Sequence, residues 1–163
     1  MQEKGGILMK NLNIKVGDKA PDFTLKNQNN KDVSLSSLKG KKVLLSFHPL
    51  AWTSVCAVQM KILELKHDEL EKLNTVALGI SVDTVFSKQE WARSLCIEKT
   101  NLLADFWNHG EIAKKYDLFL EDAGISARAN ILVDEHGIIE WIKVYEMSEI
   151  PDIEEVIRYL KKK

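Results

Sequence analysis

The sequence predicts an α/β fold in which helices flank a mixed central sheet, and three features carry that prediction. Short apolar runs at 43–47, 75–82 and 129–133 have the length and composition of buried strands. Stretches with apolar residues at helical spacing lie at 55–73, 87–95 and 153–160. Strands alternating with helices argue for a sheet with a parallel portion, closed here by a late strand pair and a last helix.

Residues 1 to about 16 carry little pattern and read as a tail or short strand. Gly17 to Pro21 reads as a turn. Phe23-Thr24-Leu25 and Val33-Ser34-Leu35 flank a polar Asn27–Lys31 stretch, as in a hairpin. Val43 to Phe47 is a strand that must end by Pro49, which has no N–H to donate to a ladder. Val55 to Leu73 reads as a helix and Thr75 to Val82 as a second strand. Asp83 and Ser87 offer starts for a helix over Ser87–Leu95. Leu102 to Asp105 is a short strand or turn, and Gly110 to Leu118 looks helical. Ala129–Val133 and Ile138–Val144 are strands about the turn Asp134–Gly137. Pro151 precedes a final helix with Ile153, Val156, Ile157 and Leu160 on one face. No repeat or linker divides the 163 residues, so one domain over 1–163 is expected.

Composition narrows the function. Hydrophobic residues make up 45% and charged residues 29%, as in globular proteins. A net charge of −1 gives no electrostatic case for nucleic acid or an anionic membrane. No apolar run approaches the ~20 residues that span a bilayer, and the N-terminus lacks a signal-peptide core. A cytoplasmic location is expected. Two cysteines in a reducing compartment point to redox chemistry or plain thiols rather than a structural disulfide. Neither lies in a zinc-type cluster, and no cofactor or metal is expected.

Cys56 stands where the first strand gives way to a helix. The free N–H groups and dipole of a helix start favour an anion, which suits a thiolate. Thr53 is placed to cap that helix and to turn its hydroxyl toward the sulfur. A free cysteine in such a joint is more often inert packing, so the neighbours decide the matter.

Those neighbours, Pro49-x-x-x-Thr53-x-x-Cys56, resemble the signature of the peroxiredoxins. The placement also resembles the active site of the thioredoxin fold, with Thr53 where a thioredoxin has its first cysteine. The resemblance extends over nearly the whole chain, through Val16–Phe23, Ile80–Asp83, Leu103–Asp105, Ile112–Tyr116 and Ser126–Asp134. It implies a thioredoxin fold with an N-terminal β-hairpin extension. It also implies a thiol peroxidase acting on hydrogen peroxide or organic hydroperoxides through a Cys56 sulfenic acid. By the same resemblance Arg128 steadies the thiolate and peroxide, Thr53 serves both, and Pro49 shields the pocket. The implied partners are a peroxide and a thiol reductant such as thioredoxin, with a homodimer left open. The rival reading is a peroxide sensor or redox-binding module on the same fold. A thiol–disulfide oxidoreductase is disfavoured by Thr53.

Departures from the family pattern are informative. His48 stands where many members have Tyr, Ser54 where many have Pro, and Gln59 where many have Glu. The run Cys56–Gln59 resembles the bacterioferritin-comigratory subgroup, but its frequent resolving-cysteine position is Lys61 here. Cys96 is a candidate resolving thiol, against the simpler expectation of a one-cysteine mechanism with an external thiol. His48 is expected in packing or a hydrogen-bond network rather than as a base. Trp52, Trp91, Trp107 and Trp141 are expected as core or pocket walls.

Overall fold

A computed structural model describes residues 12–163. The expected N-terminal tail or strand lies largely outside them, and residues 12–16 form no strand. The elements are β1 (Thr24–Asn27), β2 (Asp32–Ser34), β3 (Lys42–Phe47), α1 (Ser54–Leu65), α2 (His67–Lys72), β4 (Thr75–Ser81) and α3 (Val85–Ser94). Then come β5 (Asn101–Ala104), α4 (Glu111–Lys115), β6 (Phe119–Leu120), β7 (Ile125–Ser126), β8 (Arg128–Val133), β9 (Ile139–Tyr145) and α5 (Ile153–Lys161). Seven strands form one sheet in the order β2-β1-β5-β4-β3-β8-β9. β3, β4 and β5 run parallel; β8 and β9 continue the sheet antiparallel on one side, and the β1–β2 hairpin does so on the other.

The alternation of β3 sorts the core. Val43, Leu45 and Phe47 face one layer, where Ile112 and Ala113 pack from α4 and Tyr116 from its C-cap. Leu44 faces the other layer with Leu102 and Leu132, under Met60 and Leu63 of α1, Trp91 of α3 and Val156 of α5. Side chains alternate along a strand, so Ser46 and His48 share the second face with Leu44. Arg128 and Asn130 share it with Leu132 on β8. Both central strands are buried throughout, which makes these polar residues conspicuous. α1 lies close on this face: a Cβ on Gly79 of β4 would overlap Met60 Sδ and stand 3.0 Å from Leu102 Cδ2. Glycine there is what lets α1 approach.

Several local expectations change. The helix expected over 55–73 breaks at Lys66 into α1 and α2, and Leu65, counted in its apolar stripe, is 72% exposed. α3 begins at Val85, two residues early, because Thr84 rather than Asp83 or Ser87 is its cap, accepting the Ser87 N–H at 3.1 Å. The Leu102–Asp105 segment is a strand within the sheet. The small β6–β7 ribbon had no sequence signal, being only two residues a side. Trp91 is buried, Trp141 packs on the core and Trp107, though 80% exposed, lines a surface pocket with Phe86 and Phe106, but Trp52 is 57% exposed and is not a core residue. No helix of the described residues is long and apolar enough to cross a membrane.

Candidate active site

Pro49 ends β3 and is buried, and the chain then turns through Trp52 in the left-handed region (φ 70°) before entering α1. The β4–α3 joint pins this turn. The Asp83 carboxylate accepts the Ala51 N–H at 2.8 Å, and Trp52 Nε1 donates to Ser87 Oγ at 3.0 Å. Thr53 occupies the N-cap position in extended geometry, but its side chain caps nothing. Its hydroxyl donates instead to Leu50 O at 2.8 Å, tightening the turn, so the expected side-chain cap is absent.

Cys56 falls in the first turn of α1 and is fully buried. Arg128, itself 3% exposed, comes from the start of β8 to meet it. Nη1 of Arg128 donates to Cys56 Sγ at 3.3 Å and to Gln59 Oε1 at 2.7 Å, while Nη2 donates to Met147 O at 2.8 Å. Arg128 Nε has no acceptor among the described residues. The fork is thus held at three points, which orients a fixed positive charge on the sulfur. Gln59, one turn beyond Cys56, donates Nε2 to Ser46 Oγ at 2.8 Å and to Phe47 O at 3.2 Å. Ser46 in turn donates to Asn130 Oδ1 at 2.8 Å. Apart from Arg128 Nε, the network's side chains each have a partner on another element.

His48 is also fully buried. Its Nδ1 lies 3.4 Å from Ser46 O and its Nε2 is 2.8 Å from Lys88 Nζ of α3. Burial, reinforced by Lys88 and Arg128, holds its pKa well below the usual imidazole range, so it is neutral near pH 7. With both nitrogens committed away from the sulfur, His48 belongs to the network and is no base for Cys56.

The structure therefore brings Cys56 and Arg128 into contact and puts Pro49 and Thr53 in the turn just before them. Cys96 stands apart. It is an exposed free thiol just past the Leu95 C-cap of α3, in the left-handed region (φ 54°). Ser46, Asn130 and Lys88 were not singled out from the sequence, although polar residues inside the apolar runs of β3 and β8 were a visible signal. Among the described residues, one group of metal-type ligands occurs, the largely exposed His67, Asp68 and Glu71. Asp68 there already accepts from Lys99 Nζ at 2.9 Å.

Comparison with known proteins agrees with this geometry. The model of the AhpC/TSA family matches residues 16–142. Alkyl hydroperoxide reductase E of Mycobacterium tuberculosis (strain H37Rv) is 39% identical over 140 residues, spanning 85% of this chain and 91% of its own. A peroxiredoxin of Thermoplasma volcanium is 32% identical over 153 residues, 91% of this chain and 74% of its own. The crystal structure of reduced Plasmodium vivax 2-Cys peroxiredoxin superposes with a TM-score of 0.82 at 30% identity, covering 90% of this chain and 80% of that one. From its motif, its fold and these relatives, the chain belongs to the AhpC/TSA family, the peroxiredoxins.

Proposed function

We propose that Cys56 is the peroxide-reducing thiol of this thiol-dependent peroxidase, and that an external thiol recycles it. The observation that carries the reading is the 3.3 Å contact from Arg128 Nη1 to Cys56 Sγ inside a closed site at a helix start. The Cys56 thiolate attacks the terminal oxygen of a hydroperoxide, forming an S–O bond as the O–O bond breaks. The alkoxide or hydroxide that leaves takes up a proton, and Cys56 is left as a sulfenic acid. One external thiol condenses with it, releasing water, and a second thiol frees Cys56 by exchange.

Arg128 has one donor on the sulfur, while its Nε is uncommitted among the described residues and available to a peroxide oxygen. Thr53 gives its proton to Leu50 O and keeps its oxygen lone pairs to accept from the hydroperoxide O–H. Pro49, buried and without an N–H, closes the turn against water. Cys56 has no exposed surface, so a protein reductant reaches the sulfenic acid only when the 49–56 segment opens. Hydrogen peroxide or an organic hydroperoxide is the substrate, and a dithiol protein of the thioredoxin kind is the reductant. The exposed Trp52, Phe86 and Trp107 support a homodimer. The whole of 1–163 is read as one domain acting in the cytoplasm, where its two free thiols stay reduced.

Stopped-flow consumption of hydrogen peroxide tests the assignment. Cys56→Ser abolishes the fast phase and Cys96→Ser keeps it; a Cys56→Ser protein that still consumes peroxide overturns it.

A further inference from the structure

Asp83 and Ser87 are the two helix starts that the sequence offers for α3, yet neither caps it, since Thr84 does. Both side chains face the turn before Cys56 instead. Asp83 Oδ2 accepts the Ala51 N–H at 2.8 Å and the Ser81 hydroxyl at 2.5 Å. Ser87 Oγ accepts from Trp52 Nε1 at 3.0 Å. Trp52 is thus held by the amide just before it and by its own indole. Its backbone sits in the left-handed region at φ 70°, where a bulky side chain is rarely found. Such a conformation persists only where neighbouring contacts over-determine it.

The two halves of this contact differ in freedom. Ser81 closes β4 inside the sheet, where its carbonyl accepts the Asp105 N–H at 2.8 Å and the preceding Ile80 carbonyl accepts the His48 N–H at 3.0 Å. The carboxylate of Asp83 is tied to that fixed strand end through the Ser81 hydroxyl. The turn opposite leads to Cys56. The Thr53 hydroxyl closes onto Leu50 O, and the Ala57 N–H donates to Thr53 O at 2.9 Å to begin α1. Cys56 lies inside that first turn, its Sγ 3.3 Å from Arg128 Nη1. If Trp52 leaves the left-handed region, the chain changes direction just ahead of α1, and the first turn moves with it.

We propose that Asp83 and Ser87 are positioning residues for the peroxide step: together they clamp Trp52 in its left-handed form and so hold Cys56 against Arg128. The inference rests on Cys56 being the peroxide-reducing thiol. Each residue acts through the turn rather than on the sulfur. The strain at Trp52 leaves the closed turn a small margin, so losing one anchor changes how often it is closed. The carboxylate bond and the indole bond are separate anchors, and each can be removed alone. The same bonds resist the opening of residues 49–56 that a protein thiol requires. Loosening them should slow peroxide capture while easing exposure of the first turn of α1.

The test combines peroxide kinetics with amide hydrogen exchange in Cys96→Ser protein. Asp83→Ala should lower the second-order rate with hydrogen peroxide about tenfold, the scale of one lost bond to a charged acceptor. The Ala57 amide should exchange about tenfold faster, while the amides of β8 keep wild-type rates. Asp83→Asn retains an oxygen acceptor and should restore most of both. Should Asp83→Ala fail to fold, the second bond carries the test alone. Ser87→Ala and Trp52→Phe delete that bond from opposite ends, so each should slow the peroxide step and the double variant should be no slower than either. Wild-type peroxide rates in Asp83→Ala, or in both Ser87→Ala and Trp52→Phe, overturn the proposal. So does exchange that quickens equally at Ala57 and in β8, which would mark general loosening. Exchange needs no thiol and is readable in Cys56→Ser as well, whereas loss of peroxide consumption in that variant reports on the thiol assignment alone, so the two readings fail separately.

Discussion

Gln59 Nε2 donates to Ser46 Oγ at 2.8 Å, and this bond ties the helix that carries Cys56 to the strand beneath it. The other end of the same amide accepts from Arg128 at 2.7 Å. One side chain thus spans α1, β3 and β8 and sets where the guanidinium sits relative to the sulfur. An amide suits the place because it accepts on one side and donates on the other. A carboxylate would still receive Arg128 but could not donate to Phe47 O, which Gln59 reaches at 3.2 Å.

Gln59→Leu should therefore lower both rate and stability. It leaves the Ser46 hydroxyl and Phe47 carbonyl short of a donor in a dry layer, at a cost of about 1–3 kcal/mol. Thermal melting reads that loss. Peroxide consumption should fall about tenfold or more as Arg128 loses its second anchor. A variant with wild-type rate and melting temperature would show that the amide positions nothing.

Replacing Arg128 by Lys keeps the charge and removes the fork. A lysine cannot reach the sulfur, Gln59 and Met147 O in fixed directions at once. The peroxide step should slow by about 10²-fold, the usual scale for losing one oriented donor. Thr53→Val frees Leu50 O and removes an acceptor at the helix start, and about a tenfold loss is expected. Stopped-flow traces on folded proteins, with folding checked by circular dichroism, measure both. Equal rates for wild type and Arg128→Lys would mean that only the charge matters.

How much of this was legible depends on what each residue signals alone. Pro49, Thr53 and Cys56 mark the strand–helix joint in three successive positions of local chemistry, and the structure puts that joint where the sequence does. Arg128 carries no local signal, since an arginine opening a strand is ordinarily solvated; only the family resemblance named it. The Ser46–Asn130 contact needs the β3–β8 register, which a single sequence does not contain. Lys88 is the hardest, because a helical lysine is solvated by default and its burial follows from how α3 docks over His48. The break at Lys66 escaped for a related reason. The apolar spacing runs on through it, while the turn there follows from local backbone geometry (φ −96°, ψ 4°).

Lys88 also links stability to pH. Its value is about 7 in the fold against an ordinary 10.5, so between those values the unfolded chain holds a proton that the fold does not. Stability then rises with pH across that window, and below about 7 the cost of the buried ammonium is fully present. Lys88→Met removes the cost. The variant should be more stable than wild type at pH 6, and the difference should shrink toward pH 10, in denaturant titrations at each pH. Greater stability with a slower peroxide step would place Lys88 among residues kept for function at the expense of the fold. A difference independent of pH would mean that the lysine is not titrating as buried.

The last prediction concerns Cys96. The segment that holds it is tied to the far end of α1 from Cys56. Lys61 Nζ donates to Leu95 O at 2.5 Å, and the Glu64 carboxylate accepts N–H groups of Glu98, Lys99 and Thr100 at 2.8, 3.0 and 2.8 Å. Burial alone would raise the Glu64 carboxyl, but those three N–H groups outweigh it and hold its pKa below the ordinary value. Glu64 follows Cys56 by eight residues, roughly 12 Å along the helix. A disulfide needs its Cα atoms within about 7 Å, so bridging would require both the first turn of α1 and the Glu64 anchorage to let go. An external thiol needs only the first. One equivalent of peroxide followed by non-reducing peptide mapping should therefore give Cys56 sulfenic acid, trappable by a dione reagent, with Cys96 free. Cys96→Ser should keep turnover with an added thiol. A Cys56–Cys96 peptide formed as fast as turnover, together with loss of turnover in Cys96→Ser, would assign Cys96 as the resolving thiol and set aside the one-cysteine cycle. The anchorage adds a control. The depressed carboxyl of Glu64 contributes stability above its unfolded value, about 4.5, and that contribution is lost as pH falls through the folded value. If Cys96 does reach Cys56, Glu64→Gln should speed the crosslink at a pH where thiols still ionise; if it does not, the variant should produce none.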